Sequence, residues 1–125
     1  MKHIGNLEIT KENQDHFKNI TEVTGYVSVH SNAKFDAPAL QTVGGYVSVH
    51  SNAKFDALQT VGGDVYVYSN AKFDAPALQT VGGYVYVYSD AKFEAPALQT
   101  VGGNVSAHSN AKFDALQTVG GDVYV

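Results

Sequence analysis

The chain has 125 residues, a formal net charge of −4, eight lysines, no arginine and no cysteine. The absence of cysteine excludes a disulfide framework, and the absence of arginine argues against a nucleic-acid partner, since arginine makes most bidentate contacts to phosphate and guanine. No apolar run is long enough for a signal peptide or a membrane span, so we expect one cytoplasmic domain with no membrane partner.

Residues 1–23 lack the repeat that fills the rest of the chain and are predicted to form an N-terminal cap. Within them, residues 5–9 are predicted to form a strand that pairs with the first coil. Thr10 is a candidate N-cap for a short helix over residues 11–19, with Glu12 favourable in its first turn. Such a strand–helix cap would cover the core exposed at the first coil of a solenoid.

From residue 24 to 125 the phrase T-V-G-G-x-V-x-V-x-S-N-A-K-F-D-A-L-Q recurs with a period of 18 or 20 residues. Three copies carry an extra Pro-Ala pair, at residues 38–39, 76–77 and 96–97, which we expect to bulge from a loop without disturbing the stacked positions. One coil cannot bury its apolar residues alone. The repeat therefore predicts a mainly β, single-domain solenoid of about five stacked coils.

Each copy contains a predicted strand in which polar and apolar residues alternate. In the second copy this strand covers residues 46–50, with Val47 and Val49 facing the core. Gly44 and Gly45 precede it and mark a turn in which a positive φ is expected. On the return side of each coil we expect turns or brief strands.

The spacing L-x-x-V-x-G-x-V-x-V-x-x-N-x-x-F, from Leu40 to Phe55, resembles leucine-rich repeats. It is most similar to the variant in receptor L domains and related cell-wall proteins, L-x-x-I-x-G-x-L-x-I-x-x-N-x-x-L, and uncharacterised bacterial and phage repeat proteins look similar. The resemblance implies a leucine-rich-repeat-like or β-helix-like parallel sheet and no particular activity. It also implies that the asparagine after each strand points inward and bonds neighbouring coils. The residues concerned are Asn32, Asn52, Asn70, Asp90 and Asn110.

Stacking turns the outward residues of the strands into columns with about 4.8 Å between rungs. Tyrosine and histidine offer rigid, amphipathic contact area, so this face is the candidate partner-binding surface. Tyrosine is also a common strand residue, and an ordinary sheet surface is the alternative interpretation. The candidate residues are Tyr26, Tyr46, Tyr66, Tyr68, Tyr84, Tyr86, Tyr88, His30, His50 and His108.

No cofactor or metal is predicted, because a metal site needs three or four ligands and tyrosines follow His30 and His50 on the next coils.

Charged residues form two further columns, which we expect to interleave and neutralise each other, each exposed pair contributing about 0–1 kcal/mol. The cations are Lys34, Lys54, Lys72, Lys92 and Lys112, and the anions are Asp36, Asp56, Asp74, Glu94 and Asp114.

The last coil ends in a strand with no predicted cap, which leaves backbone groups and an apolar cross-section open. Two copies could cover each other around a two-fold axis, so a homodimer through this coil is predicted. The candidate interface residues are Val119, Asp122, Val123, Tyr124 and Val125.

Catalysis is not predicted, because near-identical rungs would repeat the same chemistry and no third group orients a base beside the serines. The leading hypothesis is a non-enzymatic, protein-binding repeat module that uses the tyrosine, histidine and serine residues of its sheet face. Two alternatives stay open. One is a phage or mobile-element inhibitor of a bacterial defence system that acts by binding a protein, and the other is a glycan-binding surface protein.

Overall fold

The computed structural model describes residues 2–107 and 111–124, apart from the side chains of residues 111 and 112. The described chain is all β and winds through about six turns of roughly 20 residues, each contributing short strands to three parallel sheets. The predicted mainly β solenoid is therefore confirmed. Strands are numbered along the chain and grouped below by sheet.

Sheet 1 contains β1 (Lys2–His3), β3 (Glu22–Val23), β6 (Thr42–Val43), β9 (Thr60–Val61), β12 (Thr80–Val81), β15 (Thr100–Val101) and β18 (Thr118–Val119). Sheet 2 contains β2 (Leu7–Ile9), β4 (Val27–Val29), β7 (Val47–Val49), β10 (Val65–Val67), β13 (Val85–Val87), β16 (Val105–Ala107) and β19 (Val123–Tyr124). Sheet 3 contains β5 (Lys34–Asp36), β8 (Asn52–Lys54), β11 (Lys72–Asp74), β14 (Lys92–Glu94) and β17 (Ala111–Lys112).

Inward-facing side chains from the three sheets form continuous apolar columns. Val65 pairs in register with Val47 on one side and Val85 on the other, and all three are fully buried. Phe73 and Phe93 stack inside sheet 3 with ring centroids 5.1 Å apart. Burying a valine or phenylalanine contributes about 1.5–3 kcal/mol, and each coil buries its residues only against its neighbours, so stacking stabilises the fold.

The Gly-Gly pairs are required by close contact between coils and not by an unusual backbone angle. Gly5 is the one glycine with a positive φ in the described chain, so the positive φ expected at Gly44 and Gly45 is wrong. A Cβ on Gly45 would lie 2.9 Å from the carbonyl carbon of Gly25, and one on Gly44 would overlap the carbonyl oxygen of Thr24. Only a residue without a side chain allows the coils to stack here.

Residues 2–9 add a rung to sheets 1 and 2. The predicted strand is present as β2 and pairs in parallel with β4, while β1 pairs with β3. Both β1 and β3 precede residue 24, so stacking begins within the segment interpreted from the sequence as a cap. Gln14 then covers the edge of sheet 3, because its Oε1 accepts the backbone N–H of Lys34 at 2.8 Å.

The helix predicted over residues 11–19 is wrong, since this segment forms a series of turns and no helix occurs in the part of the chain that the structure describes. Thr10 and Asn13 start the turns with reciprocal hydrogen bonds. The Thr10 N–H donates to Asn13 Oδ1 (2.8 Å), and the Asn13 N–H donates to Thr10 Oγ1 (3.3 Å). The Asn13 amide also donates to the Glu8 carbonyl, so this side chain binds the backbone locally in competition with a helix.

The 18-residue coils differ from the 20-residue coils at the corner between sheets 2 and 3. Four residues separate β4 from β5, whereas two separate β7 from β8. Ala53 therefore pairs with Phe35, and Lys54 pairs with Asp36. The expectation that all stacked positions stay in register is wrong for sheet 3. The turn into sheet 1 has the same span in both coil types, Ala37 to Leu40 and Phe55 to Leu58, so the shortening falls on the other corner.

The residues expected to form an inward asparagine ladder are exposed where the structure describes them. Asn32, Asn70 and Asp90 have φ between 65° and 68° and form the turn between sheets 2 and 3. Short polar side chains tolerate this left-handed conformation, which explains their recurrence. Asn52 belongs to an 18-residue coil and lies in β8 instead, and Asn110 is outside the described residues.

Candidate protein-binding surface

The outer face of sheet 2, called here the tyrosine face, carries three columns of side chains. The first column lies before each strand and the middle column lies on the central strand position. The third follows each strand. The first column contains Asn6, Tyr26, Tyr46, Asp64, Tyr84, Asn104 and Asp122. The middle column contains Glu8, Ser28, Ser48, Tyr66, Tyr86, Ser106 and Tyr124. The described part of the third column contains Thr10, His30, His50, Tyr68 and Tyr88.

Rings stack on each other along the columns. In the first column Tyr26 and Tyr46 are parallel within 8°, with centroids 4.6 Å apart. In the third, His50 stacks on Tyr68 at 4.1 Å and 7°. Tyr68 in turn contacts Tyr88 at 4.8 Å. These separations match the rung spacing of a parallel sheet, so the fold itself holds the rings in contact.

Ring contacts between columns join the stacks into one aromatic array. Tyr66 is its centre. It stacks on Tyr86 at 5.6 Å and contacts Tyr46 edge-on at 6.2 Å and Tyr68 at 6.4 Å. Tyr84 joins through an edge contact with Tyr86 at 5.8 Å. The structure therefore brings together all seven candidate tyrosines and His50.

Asp64 holds the centre of the array in place. Its Oδ2 accepts the hydroxyl of Tyr66 at 2.7 Å, and its Oδ1 accepts the backbone N–H of Tyr84 at 2.7 Å. The hydrogen bond to Asp64 and burial raise the pKa of the Tyr66 phenol. The same pattern recurs where the Tyr124 hydroxyl donates to Asp122 Oδ2 at 3.1 Å.

At the N-terminal end, a depression of about 290 Å³ is lined by Glu8, Ser28, His30, Ser31 and His50. His30 Nε2 lies 3.0 Å from Glu8 Oε1, and His50 Nε2 lies 3.4 Å from Ser48 Oγ. Burial and the neighbouring His30 lower the pKa of His50. Glu8 and Ser48 thus contact different histidines, and this differs from a Ser-His-acid relay, in which one histidine contacts both groups.

A metal centre at His30 and His50 would need three or four ligands in a set geometry. Among residues 2–107 and 111–124, no cluster of three histidine, aspartate or glutamate side chains has the geometry to hold a metal ion. His30 is paired with Glu8 and His50 is stacked on Tyr68, so each ring already has a neighbour that orients it. His108, the third candidate histidine, lies outside the described residues.

The arrangement of the rings determines which of their surfaces a partner can reach. Faces inside the stacks, such as those between Tyr26 and Tyr46, are occupied by the next ring. Tyr46, Tyr84 and Tyr88 are the most exposed tyrosines of the array. Edges and hydroxyls suit hydrogen bonds and mixed packing with a protein surface, whereas sugar rings stack on open aromatic faces.

The predicted dimer residues lie at the open edge formed by β18 and β19. Val123 is 52% exposed, whereas Val65 and Val85 at the equivalent inner position are fully buried, and the outward-facing Tyr124 is 57% exposed. Val119 is half-buried and Asp122 is exposed. Val125 lies outside the described residues, so four of the five candidates share this edge.

The sequence reasoning missed Glu8, Asp64 and Asn104 as members of the tyrosine face. Asp64 and Asp122 precede a strand tyrosine by two residues in the repeated phrase G-G-D-V-Y-V, and this recurrence was the available signal. Glu8 becomes visible when residues 2–10 are aligned with residues 22–30, because the offset of 20 residues places it beside Ser28. Asn104 repeats the Asp64 contact by accepting the Asp122 N–H at 2.8 Å.

Comparisons of the chain with protein-family models, with curated proteins and with solved structures gave no match. In the part of the chain that the structure describes, no helix is long and apolar enough to cross a membrane. The candidate surface therefore rests on its own geometry.

Proposed function

We propose that the chain is a non-enzymatic repeat module that binds a protein partner through the tyrosine face. The observation that carries this proposal is the contiguous array of seven tyrosines and His50 on one face of a rigid parallel sheet. Tyrosine is among the residues most enriched at the centres of protein interfaces, since it buries a large area and loses little side-chain freedom.

Preorganisation supports this assignment. Asp64 holds the Tyr66 hydroxyl, and stacking restrains the other rings, so little conformational entropy remains to be lost on binding. The exposed edges and hydroxyls provide alternating apolar and hydrogen-bonding contacts, as the core of a protein interface does. Ser48 is buried and hydrogen-bonded to His50, and its small polar side chain does not project from the face beside the tyrosines.

The geometry of the tyrosine face also bears on the two alternative functions, a phage or mobile-element inhibitor and a glycan-binding protein. A phage or mobile-element inhibitor of a bacterial defence system would be one case of this protein binding, and identification of the captured partner decides it. Glycan binding is less favoured, because the faces between Tyr26 and Tyr46 and between His50 and Tyr68 are covered by the stacked rings. We also propose a cytoplasmic location. The spacing of residues from Leu40 to Phe55 supports the further proposal that the chain belongs to the receptor-L-domain type of leucine-rich repeat.

The experiment compares two triple variants of the full chain as baits for a bacterial lysate. One replaces the three most exposed tyrosines of the array, Tyr46→Thr, Tyr84→Thr and Tyr88→Thr, and leaves the Tyr66–Asp64 hydrogen bond intact. The matched control replaces three exposed lysines of sheet 3, Lys34→Thr, Lys72→Thr and Lys92→Thr. Threonine suits strands, so both variants should fold, and circular dichroism checks this.

We expect a stoichiometric protein partner to be retained by the wild type and the sheet 3 variant and lost by the tyrosine variant. Equal capture by all three baits would reject the tyrosine face as the binding surface. Binding of the wild type to an oligosaccharide array, abolished by the tyrosine variant, would replace the proposal with the glycan alternative.

A further inference from the structure

We propose that a slot over Ser106 accepts one aromatic side chain of the partner, inserted as the missing ring of the middle column. This inference rests on the proposed function and narrows it to a partner that presents an exposed tyrosine, phenylalanine or tryptophan. The middle column reads Tyr86, Ser106 and Tyr124 on three successive rungs. The small serine thus interrupts a column whose neighbours on both sides are rings.

On its Tyr86 side the slot contains a depression, and on the other side strand register places Tyr124 beside it. A cavity of about 140 Å³ is lined by Tyr86, Val87, Tyr88 and Ser106. The backbone of Ser106 is in register with Tyr86 on one side and with Tyr124 on the other. Two rung spacings separate the flanking tyrosines, which is about 9.6 Å along the stack. A single ring between them would lie about 4.8 Å from each, within the range of aromatic pairs.

Both walls are restrained before a ligand arrives. Tyr86 stacks on Tyr66 with an interplanar angle of 5°, so its opposite face is directed along the column toward the Ser106 rung. Tyr124 is held through its hydroxyl by Asp122. The ring contacts found elsewhere on the tyrosine face, such as His50 on Tyr68 at 4.1 Å, are the contacts that an inserted ring would make.

The polar groups around the slot favour an aromatic ring over a sugar or an anion. The Ser106 side chain offers one hydroxyl, whereas a pyranose carries several hydroxyl groups that need partners when they are buried. The charged groups on this half of the tyrosine face are the carboxylates of Asp64 and Asp122 in the part of the chain that the structure describes. They disfavour an anionic ligand and leave a neutral or cationic ring as the matching class.

The test uses the full chain and 4-methylphenol, the side-chain analogue of tyrosine, as the ligand in a nuclear magnetic resonance titration. We expect saturable shifts centred on Tyr86, Ser106 and Tyr124. The variant Ser106→Tyr fills the slot and should weaken binding at least tenfold, and it should also raise the unfolding temperature by completing the column. Ser28→Tyr adds a ring to the same column four rungs before Ser106 and should leave binding unchanged.

Tyr124→Thr removes one flanking ring without filling the slot and should weaken the binding of 4-methylphenol several-fold. This second variant tests the inference even if Ser106→Tyr does not fold. Unchanged affinity in Ser106→Tyr or Tyr124→Thr, or shifts centred away from these rungs, would overturn the inference. Stronger binding of methyl glucoside than of 4-methylphenol would also overturn it. The titration uses no partner protein, so it tests the slot separately from the proposed function. If 4-methylphenol does not bind but the lysate experiment still shows capture that depends on the tyrosine face, the slot is rejected and the proposed function is retained.

Discussion

Asp64 connects two coils, since its Oδ2 accepts the Tyr66 hydroxyl and its Oδ1 accepts the backbone N–H of Tyr84, each at 2.7 Å. Replacing Asp64 with alanine removes both acceptors and leaves the Tyr84 N–H without this partner. We expect Asp64→Ala to lower the free energy of unfolding by about 1–3 kcal/mol, measured by urea denaturation. Asp64→Asn keeps an amide oxygen at this position and should cost less.

The same pair predicts an unusual titration. The raised pKa of Tyr66 comes first from its hydrogen bond to Asp64, so Tyr66 should ionise at a higher pH than an ordinary tyrosine. In Asp64→Asn the carboxylate charge is absent, and the Tyr66 pKa should fall toward its ordinary value. The pH dependence of phenolate absorbance measures this, and an identical titration in both proteins would contradict the assigned hydrogen bond.

A methyl group on the glycine column should prevent normal stacking. A Cβ on Gly82 would overlap the carbonyl oxygen of Gly62 in the coil before, which is backbone and cannot rotate away. We expect Gly82→Ala to destabilise the protein by about 1–3 kcal/mol or more, measured by thermal or urea unfolding. Ser31→Ala, at an exposed corner, is the control and should change stability by less than about 0.5 kcal/mol.

The shifted register of sheet 3 places Lys54 in a column of carboxylates. Lys54 pairs in register with Asp36 on one side and Asp74 on the other, whereas Lys72 lies between Asn52 and Lys92. Because Glu94 follows Asp74 in this column, Lys54→Glu would set four carboxylates in a row and should cost about 0.2–1 kcal/mol, less at high salt. Lys72→Glu places the same charge beside a cation and should not destabilise. Equal effects of the two substitutions would contradict the shifted register.

Stability should fall at acidic pH because of His50. Burial and the nearby His30 lower the pKa of His50 below 6.5, so the unfolded chain binds a proton more readily than the folded protein. This contribution is fully present above the unfolded pKa and declines as the pH falls below it. Urea unfolding between neutral and mildly acidic pH should show a smaller loss in His50→Gln than in the wild type.

We expect two copies of the chain to associate through the coil that contains β18 and β19. Val123 and Tyr124 are more than half exposed on β19, which pairs only with β16 among the described residues, and a strand paired on one side can accept a second strand. We expect concentration-dependent dimers in analytical ultracentrifugation, weakened by Val123→Lys and unaffected by Ser31→Lys. A monomer throughout the high micromolar range would remove the predicted dimer.

Much of the architecture follows from local patterns in the sequence. The alternation around Val47 and Val49 places valines inside and tyrosines outside, and the repeat period requires that equivalent residues stack. The absence of the predicted helix over residues 11–19 also has a local cause, because the Asn13 side chain accepts the Thr10 N–H and donates to the Glu8 carbonyl. Its side-chain partners, however, are visible only in the folded chain.

The sequence by itself determined the parallel columns, the inward valines and the outward tyrosines, since strand alternation and a fixed repeat are local properties. The tertiary structure decided which rings meet and how sheet 3 pairs. The segment Lys-Phe-Asp is the same in long and short coils, so nothing local shows which corner absorbs the missing two residues. The corner between sheets 2 and 3 absorbs them, because the turn into sheet 1 closes with the same backbone hydrogen bond in both coil types, from Leu40 to Ala37 and from Leu58 to Phe55.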